Sequence, residues 1–386
     1  MRILVHHRIA SRDGQAVHLE ELSAAMKRQG HTVLLVGPAS FSETKFGASS
    51  RIVDGIKRIL PGALYELLEV LYNIKAYFRL RAAVTDFKPH IIYERFSLFL
   101  FAGIWVKRRT GLKLFLEVNS PLFEERAKND GLKLKTLGRR AQRFLWQSAD
   151  HVLPVTRVLG EMVAADDVPW ERITVIPNGI HPPRFQAQLP AADAKAALGL
   201  PPQRLVLGFT GFIRGWNAVH RLIDFVAAHP ALDLHILVVG DGPARDSLIQ
   251  HAKERKVPDR LTIVGVVERD RIAGHICAFD IALLPGVTPY SSPLKLFEYL
   301  YLGRAIVAPD SKNIREILTD RRNALLFDAD SADGMETALD TLCRDPALRA
   351  RLGAAARDAI AEQSLTWDNN AQRVVALAEQ ATGSTD

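Results

Sequence analysis

The 386-residue sequence is poor in cysteine and in long hydrophobic runs. Its two cysteines, Cys277 and Cys343, both sit in apolar stretches. That excludes a disulfide scaffold and any zinc site needing three or four thiolates, and it suits a reducing cytoplasm. The longest uncharged apolar run, Phe96–Val106, has eleven residues. A membrane-spanning helix needs about 20. The opening Arg2-Ile3-Leu4-Val5 meets His6, His7 and Arg8 at once, too soon for a signal-peptide core, and is expected to be a first strand. These absences predict a cytoplasmic protein, held at most on the surface of a membrane.

Charge is uneven. The net charge is +7, but residues 1–187 carry 28 Lys+Arg against 18 Asp+Glu, and residues 188–386 carry 22 against 25. An anionic partner for the first half is expected: nucleic acid, anionic lipid or a charged substrate. No nucleic-acid-binding motif accompanies the basicity. Hydrophobic residues make up 48% and charged residues 24%, which excludes a disordered chain.

Short β-branched runs alternate with helical segments. Ile3–Val5 is followed by Val17–Gln29, with Leu19, Leu22, Ala25 and Met26 on one face and Gly30 at its end. Further strands are expected at 32–36, 91–93, 114–118, 151–155 and 173–176. Then Pro182, Pro183, Pro190, Pro201 and Pro202 interrupt the chain, as an interdomain connection would, and a boundary is placed near residue 185. The rhythm restarts with strands at 205–209, 234–239, 261–264, 281–284 and 305–307. Two parallel α/β domains are expected, with ligands beyond the carboxyl ends of their strands.

The post-strand loops are therefore the places to look. After 281–284 comes Ser291-Ser292-Pro293-Leu294-Lys295-Leu296-Phe297-Glu298. Ser292 is expected to cap a helix that runs from Pro293 to about 302 and stops at Gly303. The helix N-terminus would bind phosphate, with Lys295 beside it. Glu298 shares a face with Lys295, and at 1.5 Å per residue it lies roughly 7–8 Å along the axis from Pro293, within reach of a ribose. Gly211 and Arg214 follow the first strand of this half, and Gly240 and Gly242 the second, so that backbone and guanidinium can approach phosphates. In the first half, Gly14 precedes the first helix. Glu117 and Asn119 share parity and leave one face of their strand. Asp328 and Asp330 have metal-type spacing but follow an apolar strand in a loop, and no metal site is assigned.

These residues resemble the retaining, nucleotide-sugar-dependent glycosyltransferases of family four. Ser292–Tyr299 followed by Gly303 matches the family's donor-site helix. Val175–Ile180, Val238–Pro243, Ala149–Val152, and Gly14 with Gly30–Val33 match other segments. A subset of the family is similar at Gly211–Trp216 and Leu116–Leu122. Three features depart from the pattern. Tyr290 stands where the family often has a first glutamate. Asn217 stands at the usual phosphate-clamp lysine. Glu117 and Asn119 occupy a strand end where many members carry a histidine.

The resemblance implies the GT-B fold, two Rossmann-like α/β/α domains facing a central cleft. It implies an acceptor domain over 1–185, a nucleotide-sugar donor domain over 186–365, and a C-terminal helix and tail over 366–386 packing back on the first domain. It implies sugar transfer from a nucleoside diphosphate sugar to an acceptor hydroxyl with the anomeric configuration kept, no metal and no cofactor, in cell-surface polysaccharide or glycolipid assembly. Arg214, Lys295, Glu117 and Asn119 are the candidate catalytic residues. Gly14, Gly211, Gly240, Gly242, Ser291, Ser292, Pro293, Leu294 and Glu298 join Arg214 and Lys295 in donor binding. The acceptor is expected to be a glycan or lipid-linked glycan, with an anionic membrane surface as a further partner through residues 51–81 and 126–143. Nucleotide-sugar epimerisation or hydrolysis, and nucleotide-sugar binding without catalysis, are the alternatives.

Overall fold

A computed structural model describes residues 1–9, 14–38, 60–186 and 189–383. The chain forms two compact units, Met1–Asn178 with Trp367–Asp386, and Gly179–Thr366. Residues 51–59, the start of the stretch expected at a membrane, lie outside the described residues, as do 10–13 before the first helix.

Among the described residues the first unit has five strands: β1 (Arg2–His6), β2 (Thr32–Val36), β3 (Ile91–Arg95), β4 (Lys113–Val118) and β5 (His151–Pro154). All pair in parallel, in the order β2-β1-β3-β4-β5. Ile3, Leu4, Ile91, Ile92, Leu114 and Phe115 are fully buried, which explains why these strands read as continuous apolar runs. Helix Gly14–Arg28 buries Leu19, Leu22, Ala25 and Met26 on one stripe. It ends where Gly30, at φ 84°, gives its N–H to Lys27 O. The expected strand 173–176 is a single bridge from Ile173 to Val152. Thr174 N–H donates to Val152 O at 3.0 Å and Ile176 N–H to Pro154 O at 2.9 Å, but Pro154 has no N–H to return and the ladder stays incomplete.

Among the described residues the second unit has six strands: β6 (Leu205–Thr210), β7 (Leu234–Val239), β8 (Leu261–Gly265), β9 (Ile281–Leu283), β10 (Ala305–Pro309) and β11 (Leu325–Phe327). Their order is β11-β10-β9-β6-β7-β8, again all parallel. Alternate residues feed two cores. Val206, Ala282 and Ile306 pack on one face, and Leu207, Ile281 and Val307 on the other. The proline-rich stretch is not a free linker. Pro182–Phe185 forms a 3-10 turn and Ala191–Ala197 a helix, both inside this unit. In each sheet the strand order reverses once, between β1 and β3 and between β6 and β9. That reversal opens the crevice where such sheets bind ligands.

Helix Trp367–Thr382 returns to the first unit. Arg28 Nη2 donates to Asp368 at 2.7 Å, and Asn370 Nδ2 donates to Pro177 O at 2.7 Å.

Candidate active site

The strongest site lies at the β6/β9 reversal. Helix Leu294–Tyr301 starts there, with Pro293 (ψ 122°) as the last non-helical residue. Pro293 thus takes the cap position expected for Ser292, one residue later, and it has no side-chain acceptor of its own. The first-turn amides of this helix end face the strand reversal, where an anion-binding helix end is expected. Gly303, at φ 61°, ends the helix as expected.

The helix is tied to the strand end. Thr210 N–H donates to Tyr299 Oη at 2.8 Å, and both groups are buried. Lys295 Nζ sits 3.7 Å from the centroid of the buried Phe209 ring. Burial pushes the Lys295 ammonium down to about 7, against the charge of Glu298. Burial likewise pushes the Glu298 carboxyl up to about 7, against Arg269 and Lys295. Two groups poised at neutrality, one able to meet phosphate and one able to accept hydroxyl hydrogens, occupy adjacent turns.

The loops around them interlock through missing side chains. A Cβ on Gly240 would lie 2.0 Å from Gly211 O, and one on Gly242 would lie 2.4 Å from Ile213 O. These two glycines therefore face the 211–213 backbone and set its path. A Cβ on Gly211 would lie 2.9 Å from Lys295 Nζ, so Gly211 gives the lysine its room. Arg214 is exposed, its guanidinium 4.9 Å from the Phe212 centroid and 4.7 Å from that of Trp216. Asn217 accepts from the Arg214 N–H through Oδ1 at 2.9 Å, a turn-closing role in place of a phosphate lysine. Ser291 Oγ donates to Thr288 O at 3.1 Å, and Tyr290, Ser292 and Leu294 are half-buried beside it. Asn313, unsuspected from sequence, donates to Ser291 O at 2.7 Å and to Thr288 O at 3.1 Å. It is buried and clamps the loop before the helix. Nothing in the sequence around an isolated Ser-Lys-Asn could have marked it.

In the first unit, Glu117 at the end of β4 centres a buried network. It accepts from Arg95 Nη1 at 2.6 Å, from Tyr93 Oη at 2.7 Å and from Asn119 Nδ2. His18 Nε2 lies 3.1 Å from the same carboxylate, and His18 Nδ1 lies 2.6 Å from Asn178 Oδ1. Trp367 meets the His18 ring edge-on at 4.9 Å. His6 pairs separately with Glu94 at 2.5 Å. Glu117 and Asn119 are thus together, as parity required, and Glu117 is 1% exposed. Gly14 opens the first helix nearby in sequence. Asp328 accepts from the Asp330 N–H at 2.9 Å and closes a turn. Among the described residues no cluster of three or more His, Cys, Asp or Glu could hold a metal. None of the described helices is long and apolar enough to cross a membrane.

The family described as Glycosyltransferase Family 4 matches residues 12–184, and that described as Glycosyl transferases group 1 matches residues 191–359. The chain belongs to the family-four GT-B glycosyltransferases.

Among curated relatives, this glycosyltransferase is 29% identical over 225 residues to the D-inositol 3-phosphate glycosyltransferase of Rhodococcus opacus (strain B4), covering 53% of this chain and 50% of that protein. It is 25% identical over 294 residues to the alpha-D-kanosaminyltransferase of Streptomyces kanamyceticus, covering 74% of each. The chain spans about half the length of the first curated relatives it matches. Among solved structures, sucrose-phosphate synthase from Thermosynechococcus elongatus matches with a TM-score of 0.79 at 16% identity, over 100% of both chains. Anabaena HepE in complex with UDP matches with a TM-score of 0.77 at 17% identity, over 98% of this chain and 100% of that one. These last two likenesses place the glycosyltransferase in the GT-B fold.

Proposed function

We propose that this glycosyltransferase moves a sugar from a nucleoside diphosphate sugar to an acceptor hydroxyl with retention, in cell-surface polysaccharide or glycolipid assembly. One observation carries the reading: a helix that starts at the β6/β9 reversal with Lys295 in its first turn and Glu298 in the next. The leaving diphosphate lies on the helix amides and Lys295, with Arg214 reaching it from the 211–217 loop. The Glu298 carboxylate accepts the ribose hydroxyls. The anomeric carbon exchanges its bond to the leaving phosphate oxygen for one to the acceptor oxygen, and the acceptor proton passes to that phosphate oxygen. Fixed donors at the leaving group supply the stabilisation, typically about 3–4 kcal/mol for a key one. The second unit holds the donor and the first unit the acceptor. Buried Glu117 orients Asn119 at the end of β4 and does not touch the sugar. No metal or cofactor is assigned a part. The Anabaena neighbour's complex with UDP supports a nucleoside diphosphate donor.

The test is nucleotide release from uridine, guanosine and adenosine diphosphate sugars with a lipid-linked glycan pool, followed by proton NMR of the product's anomeric centre. One donor should turn over with its configuration kept, and Lys295→Ala and Glu298→Ala should each lower kcat/KM about 100-fold or more. Undiminished turnover in both variants would remove the site. An isomerised free sugar formed without acceptor would move the assignment to an epimerase.

A further inference from the structure

Helix Gly62–Phe87 is built inside out. Its buried positions are Glu66, Glu69, Asn73, Ala76 and Leu80, three of them polar. Each polar one has fixed partners. Glu66 accepts from the N–H groups of Lys133 at 2.8 Å and Leu134 at 2.7 Å. Glu69 pairs with Arg126 at 2.7 Å and Arg8 at 3.2 Å. Asn73 accepts from the N–H groups of Phe101 at 2.6 Å and Ala102 at 3.0 Å, and donates to Phe99 O at 2.6 Å. The opposite face carries Leu64, Leu67, Leu68, Leu71, Ile74 and Phe78, spaced by threes and fours and therefore one stripe. Leu71 is 56% exposed, Ile74 55% and Phe78 62%. The helix cannot roll the stripe inward without breaking every one of those buried polar contacts.

An apolar stripe of this length needs a covering partner, and its borders say which. The exposed charges beside it are cationic: Lys75 and Arg81 on the same helix, Arg108 and Arg109 on the neighbouring helix Ala102–Thr110. Two of the helix's three acids, Glu66 and Glu69, are turned inward, and the third, Asp86, lies in its last turn. Trp105 is partly exposed and packs 6.3 Å from Tyr77, and the two rings line one depression with Arg108 and Arg109. Apolar stripe, amphipathic rings and cationic rim are the complement of an anionic bilayer surface. A second protein copy would bring the same cations against this rim.

We infer that this face of the first unit docks on an anionic lipid bilayer, with Leu67, Leu71, Ile74 and Phe78 at the acyl boundary and Lys75, Arg81, Arg108 and Arg109 among the headgroups. The inference does not rest on the donor chemistry.

Flotation of the full chain with phosphatidylcholine vesicles, and with vesicles containing phosphatidylglycerol, tests it. The wild type should float with the anionic vesicles and be released by high salt. Leu71→Ser/Ile74→Ser/Phe78→Ser should weaken the partition about 100-fold or more. Arg81→Gln and Arg108→Gln should each weaken it about fivefold at low salt. The triple variant should keep or raise the wild-type melting temperature, since it removes exposed apolar surface. Three outcomes overturn the inference: wild type left in the supernatant with both vesicle types, a lower melting temperature in the triple variant (the face is then covered by this chain), or a lipid-free dimer that the triple variant dissociates in sedimentation velocity.

Discussion

The ammonium of Lys295 lies over the ring of Phe209, 3.7 Å from its centroid. Phe209 is the penultimate residue of β6, so the cation is drawn onto the strand where the second sheet reverses its order. The ring face attracts the charge, yet burial dominates and brings the ammonium to about 7.

The rate should therefore follow pH on both sides of neutrality. The proposed chemistry needs Lys295 charged and Glu298 ionised, and both titrate near 7. Below that value Glu298 takes up its proton, and above it Lys295 loses one. A bell-shaped kcat/KM profile centred near neutrality is expected from initial rates of nucleotide release. Glu298→Gln should flatten the acid limb and Lys295→Met the alkaline limb. A wild-type profile flat through neutrality would contradict the pairing.

Two glycines separate backbone strain from crowding. Gly265 has φ 84° and no atom within 4 Å of an added Cβ, so Gly265→Ala should cost roughly 1 kcal/mol from backbone conformation alone. Gly240 has φ 145°, and its added Cβ would strike Gly211 O at 2.0 Å. Gly240→Ala should cost about 3 kcal/mol or more and should also shift the 211–217 loop. Denaturant unfolding and nucleotide titration together check this. Only Gly240→Ala should lose nucleotide affinity.

Much of this architecture is legible in the sequence. Strands buried on both faces left continuous apolar runs, and the spacing of Lys295 and Glu298 placed both on one helix face. What a residue packs against was less legible. Gly240 and Gly242 read as phosphate-loop glycines, and their close approach to the 211–213 backbone, far away in sequence, is visible only in the fold. Parity placed Glu117 with Asn119. Their network closes only through Tyr93 and Arg95 from β3 and His18 from the first helix, with Trp367 from the other end of the chain packed on His18. The stretch 51–81 is expected at a membrane from sequence, but which face of helix 62–87 turns outward is not legible there. That direction is set by three polar side chains whose partners lie elsewhere.

Arg214 gives a further test, because its setting suits a planar cation. Its guanidinium lies over the rings of Phe212 and Trp216, each more than half exposed. A lysine keeps the charge but not the stacked, forked plane. Arg214→Lys should weaken nucleotide diphosphate binding about tenfold, nearly as much as Arg214→Ala. Neither change should move the melting temperature, since the side chain is exposed. Full affinity in the lysine variant, measured by calorimetric titration, would show that a point charge suffices.

Glu117 should matter to stability rather than to nucleotide binding. Burial alone would raise its carboxyl, but the charges of His18 and Arg95 and the hydrogen bond from Tyr93 bring it down to about 2, from an ordinary 4.5. Between those values the unfolded chain holds a proton that the folded chain does not. The contribution of Glu117 is thus complete above 4.5 and lost as pH falls toward 2. Glu117→Gln removes the counter-charge of buried Arg95 and should destabilise the first unit by about 3–5 kcal/mol at neutral pH. It should also flatten the acid dependence of unfolding in that window. Nucleotide affinity should be unchanged, because Lys295, Glu298 and Arg214, proposed to hold the diphosphate and ribose, lie in the second unit. A Glu117→Gln chain that melts at the wild-type temperature would show that Arg95 is satisfied without the carboxylate, and that the network is not what holds the end of β4.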